Sequence, residues 1–143
     1  MITPFRIVAA AGVMLVTGLF TTIGHAQDAQ WQPLRDDPEI HSGLTVISVG
    51  RHIQNQCEDI SPRLVRAWAF AEGLVGRAQD LGFTRAQVDA FIADRTEQDR
   101  YRAIMRQWFA QQGADADDAA SVCRVGRDEI TAGSQIGRLL RAG

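Results

Sequence analysis

DDPEIHSGLTVISVGRHIQNQC, residues 36–57, reads as one helix destined for the centre of a fold. Asp37 supplies a cap, Pro38 suits the first helical position, and Glu39 puts an acid in the first turn. At about 100° per residue, Ile40, Leu44, Val46, Ile47, Val49, Ile53 and Cys57 sweep an apolar arc wider than half the circumference. Gly43 and Gly50 fall within that arc, where missing side chains let neighbouring helices come close. His41, Thr45, Ser48, His52 and Asn55 form the polar stripe opposite.

Downstream, every strong signal is again helical. Ser61-Pro62 repeats the cap-plus-proline pattern and opens a second helix that ends at Leu81, before Gly82. Its apolar face runs through Leu64, Ala67, Trp68, Ala71, Leu74, Val75, Ala78 and Leu81. Thr84 to Gln87 has the form of a capping box, with Phe83 and Val88 as a hydrophobic staple, and starts a third helix reaching Ala93. Asp94 caps a fourth, whose Tyr101, Ile104, Met105, Trp108 and Phe109 share a face and which stops before Gly113. Asp115 or Asp117 starts a fifth, carrying Val122, Cys123 and Ile130 up to Gly133, and Ser134 opens a short last helix. No alternating run argues for a strand. The expected fold is all-α: a compact bundle of about five helices plus a short C-terminal helix, one domain over residues 38–143, preceded by an extended lead-in over 27–37 whose Trp31 and Leu34 can lie against it.

The chain begins with Arg6, an uncharged apolar run from Ile7 to Ile23, and then Gly24-His25-Ala26. That order is a secretory signal peptide over residues 1–26, cleaved after Ala26, which places the product in the periplasm. A membrane anchor competes, but the run is diluted by three threonines and two glycines and is at the short limit for spanning. After cleavage no stable membrane insertion is expected, and no cysteine lies near the cut to carry a lipid. The remaining 14 arginines stand against 17 acids, a net charge of −3 with no lysine at all. Nothing in that balance suggests nucleic acid as a partner.

Cys57 and Cys123 are the two cysteines, and in an oxidising compartment a disulfide is their simplest use. It would close a loop of about 67 residues, worth roughly 4 kcal/mol in the chain-entropy view. Catalysis by Cys57 is weak on geometry, since His52, five residues earlier, lies about 140° away on the helix. His41 and His52 share a stripe but stand some 16 Å apart, too far to ligate one ion. No metal, cofactor or catalytic motif is expected. Arg95, Asp99, Arg102 and Arg106 line one side of the fourth helix at i, i+4, i+7 and i+11. Such a stripe is either a solvated face or a surface for an acidic partner, and arginine favours interfaces.

The chain resembles a small family of exported alphaproteobacterial proteins known as domain of unknown function 5333. The resemblance is carried by Leu34 to Ile40, Cys57 with Ile60-Ser61, Asp80 to Phe83, Cys123 and, most specifically, Ala132 to Leu140. It implies no established activity and supplies no catalytic residues. It does imply an association with the respiratory NADH dehydrogenase, near whose genes such proteins are encoded. With an export signal, that would put the protein away from the NADH-oxidising side.

Together these readings point to a non-enzymatic periplasmic domain that binds another protein, as an accessory or assembly factor of an envelope or respiratory complex. Arg95, Arg102, Arg106 and Trp31 are the candidate partner-binding residues. The alternative is a small-ligand module for a lipid, quinone or tetrapyrrole, with the aromatic face of the fourth helix lining a pocket. A third reading, an enzyme using the His41 and His52 face, has the least support.

Overall fold

A computed structural model describes residues 23–143. The apolar run on which the signal-peptide reading rests lies outside the described residues. The elements run α1 (Ile23–Asp36), α2 (Pro38–Gln56), β1 (Ile60–Pro62), α3 (Leu64–Asp80), α4 (Arg85–Ala93), α5 (Arg95–Gln111), α6 (Ala119–Ala132), α7 (Gln135–Leu139) and β2 (Leu140–Ala142). The fold is all-α apart from one two-stranded antiparallel ribbon, and Cys57 is bonded to Cys123.

α2 is the axis, touching α1, α3, α5, α6 and α7. Its C-terminal half, through Val49, Ile53 and Cys57, enters one core cluster with Met105, Phe109 and Val122. Its N-terminal end, through Ile40, enters a second with Trp31, Leu34, Val75, Phe91 and Tyr101. The disulfide bridges the C-cap of α2 to the second turn of α6 across a Cα separation of 5.6 Å.

Asp37 does more than cap. One carboxylate oxygen accepts the backbone N–H groups of Glu39 and Ile40 at 3.1 and 3.0 Å, and the other accepts Nε and Nη2 of Arg77 at 3.0 and 2.6 Å. The start of α2 is thereby tied to the last turn of α3. Thr84 and Gln87 form the expected capping box, and Asp94 caps α5 through the Glu97 N–H.

Several expectations need correction. The lead-in is not extended: α1 is helical through Asp36 with Pro33 inside it. Trp31 and Leu34, one turn apart, are buried against Phe83, Phe91 and Ile40, and that burial outweighs the hydrogen bond a helical proline forfeits. Pro62 does not open a helix. It belongs to β1, where Ile60, Ser61 and Pro62 pair with Ala142, Arg141 and Leu140. An edge strand tolerates a proline, and a three-residue strand shows no readable alternation. α3 begins at Leu64 after Arg63, with no side-chain cap; the Arg63 N–H donates to the Leu139 carbonyl instead. α6 is capped by Asp118, accepting from Ser121 N–H, rather than by Asp115 or Asp117.

Of the two glycines in the α2 arc, Gly43 meets its expectation: a Cβ there would come within 2.4 Å of Leu74. Gly50 does not, since a Cβ would have nothing within 4 Å. The tightest approach lies elsewhere. A Cβ on Gly137 would fall 1.9 Å from the Glu129 carbonyl oxygen and 2.8 Å from the Ile130 Cα, both backbone, so α7 crosses α6 only because this residue is glycine.

Gly137→Ala should therefore destabilise by at least about 2 kcal/mol, while Gly50→Ala should leave stability unchanged or raise it by up to about 1 kcal/mol. Urea unfolding of both variants checks the contrast. A second outcome follows from Asp37, whose carboxyl is held below the ordinary aspartate range, first by the Arg77 hydrogen bonds and then by the Ile40 N–H. The folded chain takes up this proton at lower pH than the unfolded chain. The stabilisation is thus complete above the ordinary aspartate range and lost as pH falls through the lowered value. Asp37→Asn should melt below the wild type at pH 7, and the gap should close on acidification, as thermal unfolding across pH will show.

Candidate binding surfaces

The arginine stripe of α5 is largely satisfied within the chain. Arg106 donates Nη1 and Nη2 to Asp117 at 2.6 and 2.8 Å, an exposed bidentate pair that raises the arginine and lowers the aspartate in proton affinity. Arg102 pairs with Asp99, one turn earlier. Arg95 is exposed and has no carboxylate partner among the described residues. Trp31 is 6 % exposed and sits 5.5 Å from the Phe91 ring, so it cannot be part of a docking surface. Of the four candidate partner-binding residues, the structure brings Arg102 and Arg106 to one wall, leaves Arg95 apart at the helix start, and removes Trp31 to the core.

The two histidines of α2 are held by packing. His52 Nε2 donates to the Ala116 carbonyl at 2.7 Å, with its ring against Phe109, and the His41 ring faces Tyr101 at 5.9 Å. His52 thereby fixes the loop between α5 and α6.

Between α2 and α5 lies a groove of about 520 Å³. Leu44, Ile47, Phe91 and Ile92 line it where the Gln98 side chain donates to the Ile92 carbonyl, and Arg51, Arg102 and Arg106 follow one to two turns further along α2 and α5. Tyr101 and Met105 of the expected aromatic face contribute to its wall, but Trp108 and Phe109 do not; Phe109 is fully buried. Tyr101 is 8 % exposed and its hydroxyl has no hydrogen-bond partner among the described residues. Burial, then the nearby Glu97 charge, pushes that phenol up to about 12, so it stays a proton donor.

Glu97, also in the wall, is 2 % exposed and forms an ion pair with Arg35 of α1, with Arg100 Nε at 3.3 Å on its other oxygen. No sequence signal had singled out this pair, which joins residues 62 positions apart. Removing one partner of a buried pair strands the other charge. Arg35→Met should therefore cost about 3 kcal/mol, and adding Glu97→Leu should recover most of it, a double-mutant cycle readable by urea unfolding.

The surface that sequence reasoning placed in the core is the start of α3. Leu64 and Trp68 of the expected apolar face are 73 % and 68 % exposed, as is the neighbouring Val65 at 81 %, whereas Leu74, Val75 and Ala78 further along the helix are buried. Three exposed arginines surround this tip. Arg63 donates to the Leu140 carbonyl, Arg141 to the Ser61 hydroxyl, and Arg66 to nothing described; none of the three has a carboxylate partner. Most other arginines do: residues 35, 77, 85, 100, 102, 106, 124 and 127 each reach an acid within 4 Å.

Among the described residues no helix is long and apolar enough to cross a membrane, and no three His, Cys, Asp or Glu side chains gather to hold a metal ion.

These features define an all-α domain with a single cross-link, closed by a two-stranded ribbon between Ile60–Pro62 and Leu140–Ala142. The chain belongs to the family described as "Family of unknown function (DUF5333)", which matches residues 32–141, from within α1 to the final strand and including both cysteines. No curated protein and no solved structure matches the chain.

Proposed function

We propose that this is a non-enzymatic, exported domain that works in the periplasm by binding another protein, as an accessory or assembly factor of an envelope or respiratory complex. The observation that carries the reading is the α3 tip. Leu64, Val65 and Trp68 stand exposed together, and a cluster of large apolar side chains around a tryptophan is the usual centre of a protein interface. Arg63, Arg66 and Arg141 make the rim positive on a chain whose net charge is −2. The partner surface that complements it is an apolar pocket bordered by carboxylates. The α5 stripe is weaker for this role, because Arg102 and Arg106 already hold acids of their own.

A photo-crosslinking residue at Val65, against a control at Arg95, tests the assignment in the native envelope. The expected result is one reproducible protein adduct at position 65, lost when Leu64→Ser and Trp68→Ser are combined in a protein that melts as the wild type does. Adducts of equal yield at both positions would overturn the reading. So would adducts to phospholipid alone, which would make the tip a membrane contact.

A second reading, a small-ligand module for a lipid, quinone or tetrapyrrole, is favoured by the groove between α2 and α5. Its size lies within the roughly 300–1,000 Å³ of small-molecule sites.

A further inference from the structure

The groove does not end at Ile92. Leu44, Ile47, Phe91 and Ile92 also line a smaller cleft of about 150 Å³ that passes between α2, α3 and α4, with Leu74 and Val88 among its other walls. The two spaces share these four residues and differ in chemistry. The cleft is mainly apolar, and its charged lining residues, Glu72, Arg85 and Asp89, pair among themselves. The groove carries its cations at the opposite end, on Arg51, Arg102 and Arg106. Ile92, half exposed, stands where they meet.

The charges in the groove are unevenly satisfied. Glu97 is neutralised by Arg35 and Arg100, Arg102 by Asp99, and Arg106 by Asp117. Arg51 projects from α2 with no acid within reach among the described residues. The net charge offered to a ligand is therefore positive and lies at the end away from the cleft. Tyr101 contributes to the wall of the groove, while its hydroxyl is buried and has no acceptor among the described residues. Trp108 and Phe109, the aromatic platform a flat ring system would need, face elsewhere.

From this arrangement we infer that the groove and cleft together hold a single-chain anionic amphiphile, its acyl tail in the cleft past Ile92 and its carboxylate or phosphate head on Arg51, with the Tyr101 hydroxyl within the wall that the ligand covers. The inference rests on the second reading above and narrows it: a rigid quinone or tetrapyrrole ring does not match a space that is an apolar slot at one end and a cationic trough at the other. A lipid headgroup and a free fatty acid share this chemistry, and the phosphate and carboxylate probes separate them.

The test is titration of the purified protein with dodecanoate, dodecyl phosphate, dodecyltrimethylammonium and dodecanol, each below its micellar concentration, followed by methyl NMR of the leucines and isoleucines. The two anions should shift Leu44, Ile47 and Ile92 and saturate at one equivalent, the tighter of them naming the headgroup. The cation should bind at least about tenfold more weakly, as loss of one charge-assisted contact requires. Arg51→Glu should weaken the anions by about tenfold or more, and Ile92→Glu should abolish the methyl shifts at Leu44 and Ile47. Both positions are solvent-exposed, so both variants should melt as the wild type does. Equal binding of dodecanol and the anions at these methyls would overturn the anionic assignment while leaving a small-ligand site in place. Anion-induced shifts confined to residues outside groove and cleft, or no shift with any of the four, would overturn the site itself.

Discussion

A helix with an apolar arc wider than half its circumference can be satisfied only by being surrounded. α2 is such a helix, and the other elements of the fold are arranged to cover it. α1 and α3 close over Ile40 and Gly43, α5 lies along its other side, and α6, α7 and the ribbon enclose Val49, Ile53 and Cys57. The covering helices are themselves apolar on one side only, which leaves their outer faces to charge. Each end of α2 is also tied down. Asp37 holds the N-terminus to Arg77 of α3, and the Cys57–Cys123 bond holds the C-terminus to α6. Neither tie could form if α2 were not already central.

The electrostatics follow the same division. Most arginines reach an acid on their own or a neighbouring element, and these exposed pairs contribute little to stability individually. The exceptions matter more. Arg35 with Glu97 is buried and links α1 to α5, while Arg63, Arg66 and Arg141 remain uncompensated around an apolar tip. Arg51, Arg95 and Arg138 also lack an acid within 4 Å among the described residues, so what sets the α3 tip apart is that its three cations lie in sequence and pairing next to exposed Leu64, Val65 and Trp68.

Helices announced by a cap and an apolar stripe were legible in the chain: α2 from Asp37, α4 from the Thr84 box, α5 from Asp94. So was the cross-link, from two cysteines with no rival use. The failures share a physical cause, which is that long-range contacts decided them. The lead-in over 27–37 is expected to be extended, but it is helical through Asp36, with Trp31 and Leu34 buried. Pro62 looked like a helix start, but pairing with the C-terminal strand claimed it. The wheel of α3 puts Leu64 and Trp68 on the apolar face with Leu74 and Val75, yet the first two are exposed and the last two buried, a difference along the helix that periodicity does not carry. Of the groove, Arg102, Arg106 and Tyr101 could be read from the spacing of α5. Arg51, Ile92 and the Arg35–Glu97 pair could not, because they meet only once the helices are placed.

The ribbon joins Ile60–Pro62 to Leu140–Ala142. Ile136, Leu139 and Leu140 are buried, and the Gly143 N–H donates to the Asp59 carbonyl at 2.7 Å. The core around Ile53 and Ile60 is therefore closed by a pairing between segments that lie 80 positions apart, as Ser61 and Arg141 do. Pairing at that separation carries the loop-closure cost of a non-local contact, which a local helix such as α2 does not.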